Sequence, residues 1–450
     1  MLSLASTARA AGRRAALFVF AALAYACCAQ AAPGNLDPSF GLRGRVVTDF
    51  DNSTDIANAV AVQPDGKLVV AGTTYTNNDF SEEDFALARY NPDGTLDTGF
   101  GSNGRVTTDF PGLAAVVSAV LVQPDGKILV AGGAFPLFTF LGNFELARYN
   151  PDGSLDTSFG SGGIVTTHFP QGSYAFALAL QPDGRIVAAG TDFVDFSSEA
   201  SSNTDLALAR YNIDGSPDIG FGNGGQVITD FNKLNDDAFS VLVQPDGRIV
   251  AVGSARSNAT DYDFAAVRYL VDGRLDTSFG TGGKVRTDFG GRGFDRARSA
   301  ALQADGSIVA AGFATARNGG RQNFAVARYG ANGVLDTGFS GDGLLQVSFG
   351  SCCQSASGVL LQGNGKIVVA GYPNSESSDS DFTLARLNPD GSLDSTFGRG
   401  GRVRTSFGDL NGGANGAVLQ ADGKIVAVGF QAFFPTPKGV EFALARYLVQ

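Results

Sequence analysis

The chain has no tryptophan, one methionine, one histidine and four cysteines in 450 residues, and only 17% of its residues are charged. A single histidine, His168, excludes a multi-histidine zinc or copper centre and leaves a serine-histidine-acid triad improbable. Basic residues are the scarcer sign, with 33 Lys and Arg against 44 Asp and Glu, a formal charge of −11 that argues against a nucleic-acid partner. Disorder is excluded as well, because 44% of the residues are hydrophobic. No apolar run reaches the roughly 20 residues that a membrane-spanning helix needs, so no transmembrane segment is expected in the mature chain.

The N-terminus reads as a secretory signal peptide over residues 1–31. Arg9, Arg13 and Arg14 precede an apolar run from Ala15 to Cys28, and Ala29-Gln30-Ala31-Ala32-Pro33 offers small residues at a cleavage site. A lipoprotein reading needs Cys27 or Cys28 as the acylated residue, with Ala24 or Tyr25 standing where leucine is usual. The expected location is secreted, periplasmic or cell surface, and loss of the leader brings the formal charge to −14. Only Cys352 and Cys353 then remain, so no long-range intrachain disulfide can form. Their Cα atoms are about 3.8 Å apart, below the usual disulfide range. They are a redox candidate as a strained vicinal disulfide, an intermolecular link or two thiols.

What the chain has in abundance is glycine, 61 residues, spread with a period. The unit runs Leu-Asp-x-x-Phe-Gly, Gly-x-Val-x-Thr-Asp-Phe, an apolar stretch, Gln-Pro-Asp-Gly-Lys, Ile-Leu-Val-Ala-Gly and Phe-Glu-Leu-Ala-Arg-Tyr-Asn-Pro-Asp-Gly, as at Leu96–Gly153. Repeats start near residues 36, 96, 155, 217, 275, 335 and 393, which favours one domain over residues 32–450 rather than three independent ones. Each unit carries four short strand signals, placed in the first full unit at Ala59–Gln63, Lys67–Thr73, Asp84–Tyr90 and Gly104–Phe110. Pro64-Asp65-Gly66 favours a tight hairpin between the first two.

Leu68-Val69-Val70-Ala71 is apolar on both faces, whereas a sheet with one wet face alternates. Both faces of each sheet must therefore be covered by neighbouring copies, with small Ala86 and Ala88 set against large side chains. The predicted fold is all-β, a seven-bladed β-propeller of four-stranded antiparallel blades. A linear solenoid is the alternative and would need caps at both ends. The chain ends favour closure. Gly44–Phe50 is a fourth strand without its first three, and Glu441–Tyr447 is a third strand without a fourth. Pairing the two completes the last blade and removes both sheet edges.

The combined motif resembles the delta-60 repeat family of secreted bacterial β-propeller proteins, over residues 36–450. The resemblance implies a propeller fold and export, and it brings no activity or catalytic residues. Departures are Pro217 for Leu, Ser340 for Gly, and Gly363-Asn364-Gly365 for Pro-Asp-Gly.

With the first strand innermost, Pro-Asp-Gly turns and Leu-Asp segments share one monotonous end, and the loops that differ between copies share the other. That second end is the expected ligand-binding face, with Phe135, Phe138, Phe140, Phe193, Phe196, Phe433 and Phe434 as candidates and a protein or glycan as partner. The bland alternative is that these rings fold over their own loops. Arg89, Arg148, Arg210, Arg268, Arg328, Arg386 and Arg446 end every third strand. They are expected to pair bidentately with Asp37, Asp97, Asp156, Asp218, Asp276, Asp336 and Asp394 in a structural role rather than as an anion site.

Asp49, Asp51 and Asp55 are the nearest approach to a calcium site, although no complete Asp-x-Asp-x-Asp-Gly loop is present. No other cofactor is implied and no catalytic residue stands out. The resulting expectation is an exported, non-enzymatic binding or adhesion scaffold. The alternatives are a propeller hydrolase or lactonase with a carboxylate or calcium site at the channel, and a structural cell-surface component.

Overall fold

The computed structural model describes residues 32–449 apart from 52, 76–82, 137–141, 196–202, 259–260, 291–292, 316–319, 351–352, 374–380, 409–410 and 433–438, so the expected leader lies outside the described residues. Seven four-stranded antiparallel sheets are formed, and the described residues contain no helix. In blade 1 the strands are Thr54–Val62, Leu68–Tyr75, Glu83–Tyr90 and Arg105–Thr108, in that order across the sheet. The first strands of successive blades touch one another around an unbroken circle, the seventh returning to the first. They line a central channel, and the linear solenoid is thereby overturned.

Closure is made by Arg45–Thr48, which pairs with Val440–Tyr447 through Arg45 opposite Ala445 and Thr48 opposite Phe442. The first strand of blade 1 begins at Thr54, ahead of the expected Ala59, because polar Asp55 and Asn58 disguise its start. The fourth strands are short, the one in blade 1 stopping at Thr108 before Asp109-Phe110.

Second and third strands are buried on both faces because the adjoining blades cover them. Leu68, Val70, Ala86 and Ala88 of blade 1 pack against Val426, Val428, Phe442 and Leu444 of blade 7, small residues meeting large ones. The tyrosine that ends the third strand crosses the same gap. Tyr90 donates to Thr48 at 2.8 Å, and Tyr149, Tyr211, Tyr269, Tyr329 and Tyr447 pair likewise with Thr108, Thr167, Thr229, Thr287 and Thr405. Blade 6 breaks the series with Leu387, and blade 5 answers with Val347 at the threonine position; both are buried in one apolar cluster. The buried hydroxyl and its acceptor are thus replaced together, so neither is orphaned.

Each first strand carries a β-bulge facing a glycine of the second strand. In blade 1 the register slips between Ala57 and Ala59, and a Cβ on Gly72 would lie 2.0 Å from the Ile56 carbonyl oxygen. Gly132, Gly190, Gly253, Gly312, Gly371 and Gly429 meet the same obstruction in the other blades. The glycine in Val-Ala-Gly therefore makes room for the bulge.

Candidate functional site

The seven bulges free one residue per blade from ladder pairing: Asn58, Ser118, Phe176, Phe239, Arg298, Ser357 and Asn415. All seven line one cavity of about 450 Å³ along the axis. Its chemistry is uneven. On one arc Phe176 lies 4.9 Å from Phe239 and 4.8 Å from Tyr174. On the other, Asn415 Nδ2 donates to Asn58 Oδ1 at 3.2 Å, Asn58 Nδ2 to the Val117 carbonyl at 2.7 Å, and Ser357 Oγ to the Ala414 carbonyl at 2.5 Å. The bulge residues are thereby held in place.

Arg298 stands between the arcs with its guanidinium 4.4 Å from the Phe239 ring centre. It is the single charged residue of the lining, and no ion pair to it occurs among the described residues. Burial and the like charge of Arg296 lower its pKa, while Tyr372 and Asp237 act in the opposite sense. Ser240 Oγ accepts from Ala300 N and Ser299 Oγ from Val359 N, which leaves both hydroxyl protons free to donate. Among the described residues the lining contains no carboxylate and no histidine. It can bind an anionic group beside an apolar surface, and it offers no acid-base pair.

At the monotonous end every arginine-aspartate pair is made, at 2.7 to 2.9 Å: Arg89–Asp97, Arg148–Asp156, Arg210–Asp218, Arg268–Asp276, Arg328–Asp336, Arg386–Asp394 and Arg446–Asp37. The pairs are not the two-pronged contacts expected from sequence. Asp Oδ2 takes the guanidinium, while Oδ1 accepts the backbone N–H two residues on, as at Ser39, Gly99 and Gly338. Arginine Nη1 crosses instead to a carbonyl of the next blade, Arg89 to Pro151 and Arg446 to Pro92 across the seam. A phenylalanine ring lies 4.4 to 4.9 Å beneath each guanidinium.

Burial by itself raises the Asp37 carboxyl, but hydrogen bonds from Ser39 and Lys424 and the charge of Arg446 outweigh it and hold the pKa at about 2. Asp156 and Asp394 are depressed further; burial opposes this, and the hydrogen bonds led by Lys127 and Lys366 prevail.

At the variable end, Phe135 and Phe193 are half-buried at strand ends, and Phe138, Phe140, Phe196, Phe433 and Phe434 lie outside the described residues. Cys353 is half-buried with φ of 60°, and Cys352 lies outside the described residues. His168 is exposed, with Nδ1 2.8 Å from Asn143 Oδ1. Asp55 is fully buried, and both its oxygens have protein donors. Phe50 N reaches Oδ2 at 2.7 Å, and Ser53 Oγ and Thr74 Oγ1 reach Oδ1 at 2.5 and 2.6 Å. Burial nevertheless pushes its pKa up to about 6. Asp51 is exposed in a turn with φ of 64°. Asp49, Asp51 and Asp55 do not form one of the carboxylate groups close enough to share an ion among the described residues.

Sequence reasoning missed the channel ring and its bulges. The signal was present as the glycine that interrupts every second strand.

The family described as a domain of unknown function (DUF5122) beta-propeller matches residues 63–100, 123–159, 181–221, 244–279, 303–339 and 362–397, together half of the chain. The chain belongs to this family. Each matched stretch runs from the end of a first strand to the Leu-Asp-x-x-Phe turn, so the segment that defines this DUF5122 propeller is the hairpin with its arginine clasp. The bulge residues fall outside it. No curated protein matches in sequence.

Among solved structures, a virginiamycin B lyase from Staphylococcus aureus is similar at 11% identity and a TM-score of 0.47, covering 89% of this chain and 98% of the other. The polysaccharide lyase Uly1 matches at 12% identity and 0.45, covering 88% and 90%. The NanB sialidase from Streptococcus pneumoniae matches at 9% and 0.43, covering 89% and 69%.

Proposed function

We propose that this chain is an exported, non-enzymatic binding scaffold that takes an anionic ligand, a glycan or a protein side chain, where the channel opens among the variable loops. The observation that carries the reading is Arg298. An arginine is set into the axis of the ring, stacked on Phe239 and flanked by free hydroxyl protons, with no carboxylate at ion-pair distance among the described residues and Asp237 acting on it only from further off. A guanidinium in such surroundings gains from a bound carboxylate, and charge-assisted bonds are stronger in a partly desolvated site. The clasp arginines are committed to neighbouring blades, whereas Arg298 supports no blade contact of that kind.

The leader over residues 1–31 supports action outside the cytoplasm, in the periplasm, at the surface or beyond it. The loops around the opening would add selectivity, with Phe135 and Phe193 at their bases.

The test is titration of mature protein with uronate-terminated oligosaccharides, their neutral counterparts and acidic peptides. Preferential binding of the acidic probes by the native protein, abolished in Arg298→Gln, is the expected result. If no acidic probe binds, or if Arg298→Gln binds them unchanged, the channel is not the recognition site.

A further inference from the structure

We propose that the junction between blades 3 and 4 binds a hard divalent cation of calcium's size between Asp205, Asp230 and Asp236. Asp205 lies on the third strand Asn203–Tyr211, Asp230 follows the fourth strand Gln226–Thr229, and Asp236 opens the first strand of the next blade, Asp236–Val243. One carboxylate oxygen from each lies within 4.8 Å of the other two.

Asp236 is fully buried and Asp205 is 9% exposed. The second observation concerns their partners. Asp205 Oδ1 and Asp236 Oδ1 are both sequestered with no hydrogen-bond donor, while Asp236 Oδ2 accepts from Phe231 N at 2.6 Å. Two buried carboxylates, each with an oxygen that lacks a donor, beside a third carboxylate are unfavourable unless a proton or a counter-ion joins them. Burial, then mutual repulsion, pushes Asp236 up to about 7, and burial with the nearby Asp230 pushes Asp205 up to about 6.

The neighbouring charges do not settle the balance. Asp237 adds to the negative field. Lys284, from the fourth strand of blade 4, donates to the Asp230 carbonyl at 2.6 Å and lies 5.2 Å from the Phe231 ring centre, and its charge offsets only part of the effect of burial on Asp205.

The next junction supplies an internal comparison. Asp263, Asp288 and Asp295 form the same triangle there. There the protein offsets part of the charge itself, with Arg286 Nε 3.6 Å from Asp263 and Asp295 accepting from both Phe289 N and Thr315 N, although burial and the neighbouring Asp288 and Asp263 still push Asp295 up to about 6. Arg286 stands opposite Ala265, and the residue in the same register one blade earlier, opposite Ala207, is Ile228. At the junction of blades 5 and 6 the positions are uncharged, with Gln354 accepting from Phe349 N and Asn323 bonded to Gln346. The junction of blades 3 and 4 thus keeps three acids and lacks the arginine.

The donor set is all oxygen, which selects a hard cation over zinc or copper. Calcium takes oxygens at about 2.3–2.6 Å and tolerates irregular geometry with water completing its shell, whereas magnesium demands a tighter octahedron at about 2.1 Å. Oxygens up to 4.8 Å apart suit the larger ion.

The experiment uses mature protein stripped with a chelator, titrated calorimetrically with calcium or magnesium and melted in the presence of each. One calcium per chain, a raised melting temperature and a weaker magnesium response are expected. Asp205→Asn removes a ligand. Ile228→Arg supplies the guanidinium that the next blade already accommodates. Both variants should stay folded, melt no lower than the calcium-free native protein, and lose the calcium response. The proposal is overturned if millimolar calcium gives neither heat nor a melting shift in the native protein, or if either variant keeps the full response. Neither result bears on Arg298, so the outcome is separable from the binding reading above.

Discussion

Glu145 is 2% exposed in the third strand of blade 2, opposite Gly132, with one hydrogen bond, from Thr166 Oγ1 at 2.8 Å. Burial pushes its pKa up to about 8, and the Thr166 bond only partly offsets this. In an unfolded chain the carboxyl titrates near 4.3, so at pH 7 folding must take up a proton, at about 3 kcal/mol for a gap of roughly 2.5 units. The sign follows from the raised value. The contribution to stability is fully present below about pH 4 and is lost as pH rises through the folded value near 8. Glu145→Gln keeps the shape and the bond from Thr166 but cannot ionise.

Unfolding entropy of about 2.1 cal/mol/K per residue gives roughly 0.9 kcal/mol/K for a chain of this length, so the gain at pH 7 is about 3 °C in melting temperature. Calorimetry on native protein and variant from pH 4 to 8, in chelator, should show two curves that meet at pH 4 and diverge steadily above pH 5. Parallel curves across that range would refute the reasoning, because they would mean that Glu145 ionises in the folded ring without penalty.

The clasp at the seam is expected to matter more than its least buried counterpart. Arg446 and Asp37 side chains are each 5% exposed, and Lys424 supports the pair, whereas the Asp336 side chain is 33% exposed and no lysine among the described residues joins it. Arg446→Ala leaves the buried Asp37 to Lys424 and Ser39 and takes the donor from the Pro92 carbonyl, so it should cost about 2–3 kcal/mol, and Arg328→Ala clearly less; denaturant unfolding of the two variants compares them directly. The matched exception at the junction of blades 5 and 6 invites a double-mutant cycle. Leu387→Tyr alone should cost about 1–3 kcal/mol through an unsatisfied hydroxyl, and adding Val347→Thr should recover most of it. If the two substitutions are additive, the tyrosine-threonine contact is not an inter-blade bond.

Much of the architecture was legible because it is repeated. The period, the two-sided apolar strands and the unmatched strand types at the two ends together require a closed ring, and Arg45–Thr48 pairs where that logic placed it. Strand limits were less legible. Asp55 and Asn58 look like loop residues, yet one caps a strand start through Phe50 N and the other bulges into the channel. The candidate site was the least legible part. A bulge adds one unpaired residue without changing the repeat length, so Arg298 resembles any surface arginine when read along the chain. The acid triangle joins a third strand, the end of a fourth strand and the next first strand, a proximity that only ring packing creates.

The positions at which the repeat departs from itself fall into two physical classes. At a bulge the residue completes no ladder, and its contacts to the next blade, such as Asn58 to the Val117 carbonyl or Phe176 on Phe239, can be made by several residue types, so the fold places little demand on which one stands there. Asparagine, serine, phenylalanine and arginine all occur there without loss of the ring. At Glu145, or at Asp205 with Asp236, the departure sits in the packed interior and burial opposes the charge. Stability alone favours alanine at the first of these, as at Ala86, Ala207 and Ala265 in the same register. It favours a neutral or arginine-compensated set at the second, as the adjoining junctions have. Departures of the first class can tune recognition at no structural expense. Those of the second class destabilise the ring unless a proton or a cation occupies the site, which ties its stability to solution conditions through two residues in the third strands of adjacent blades and one on the blade that follows.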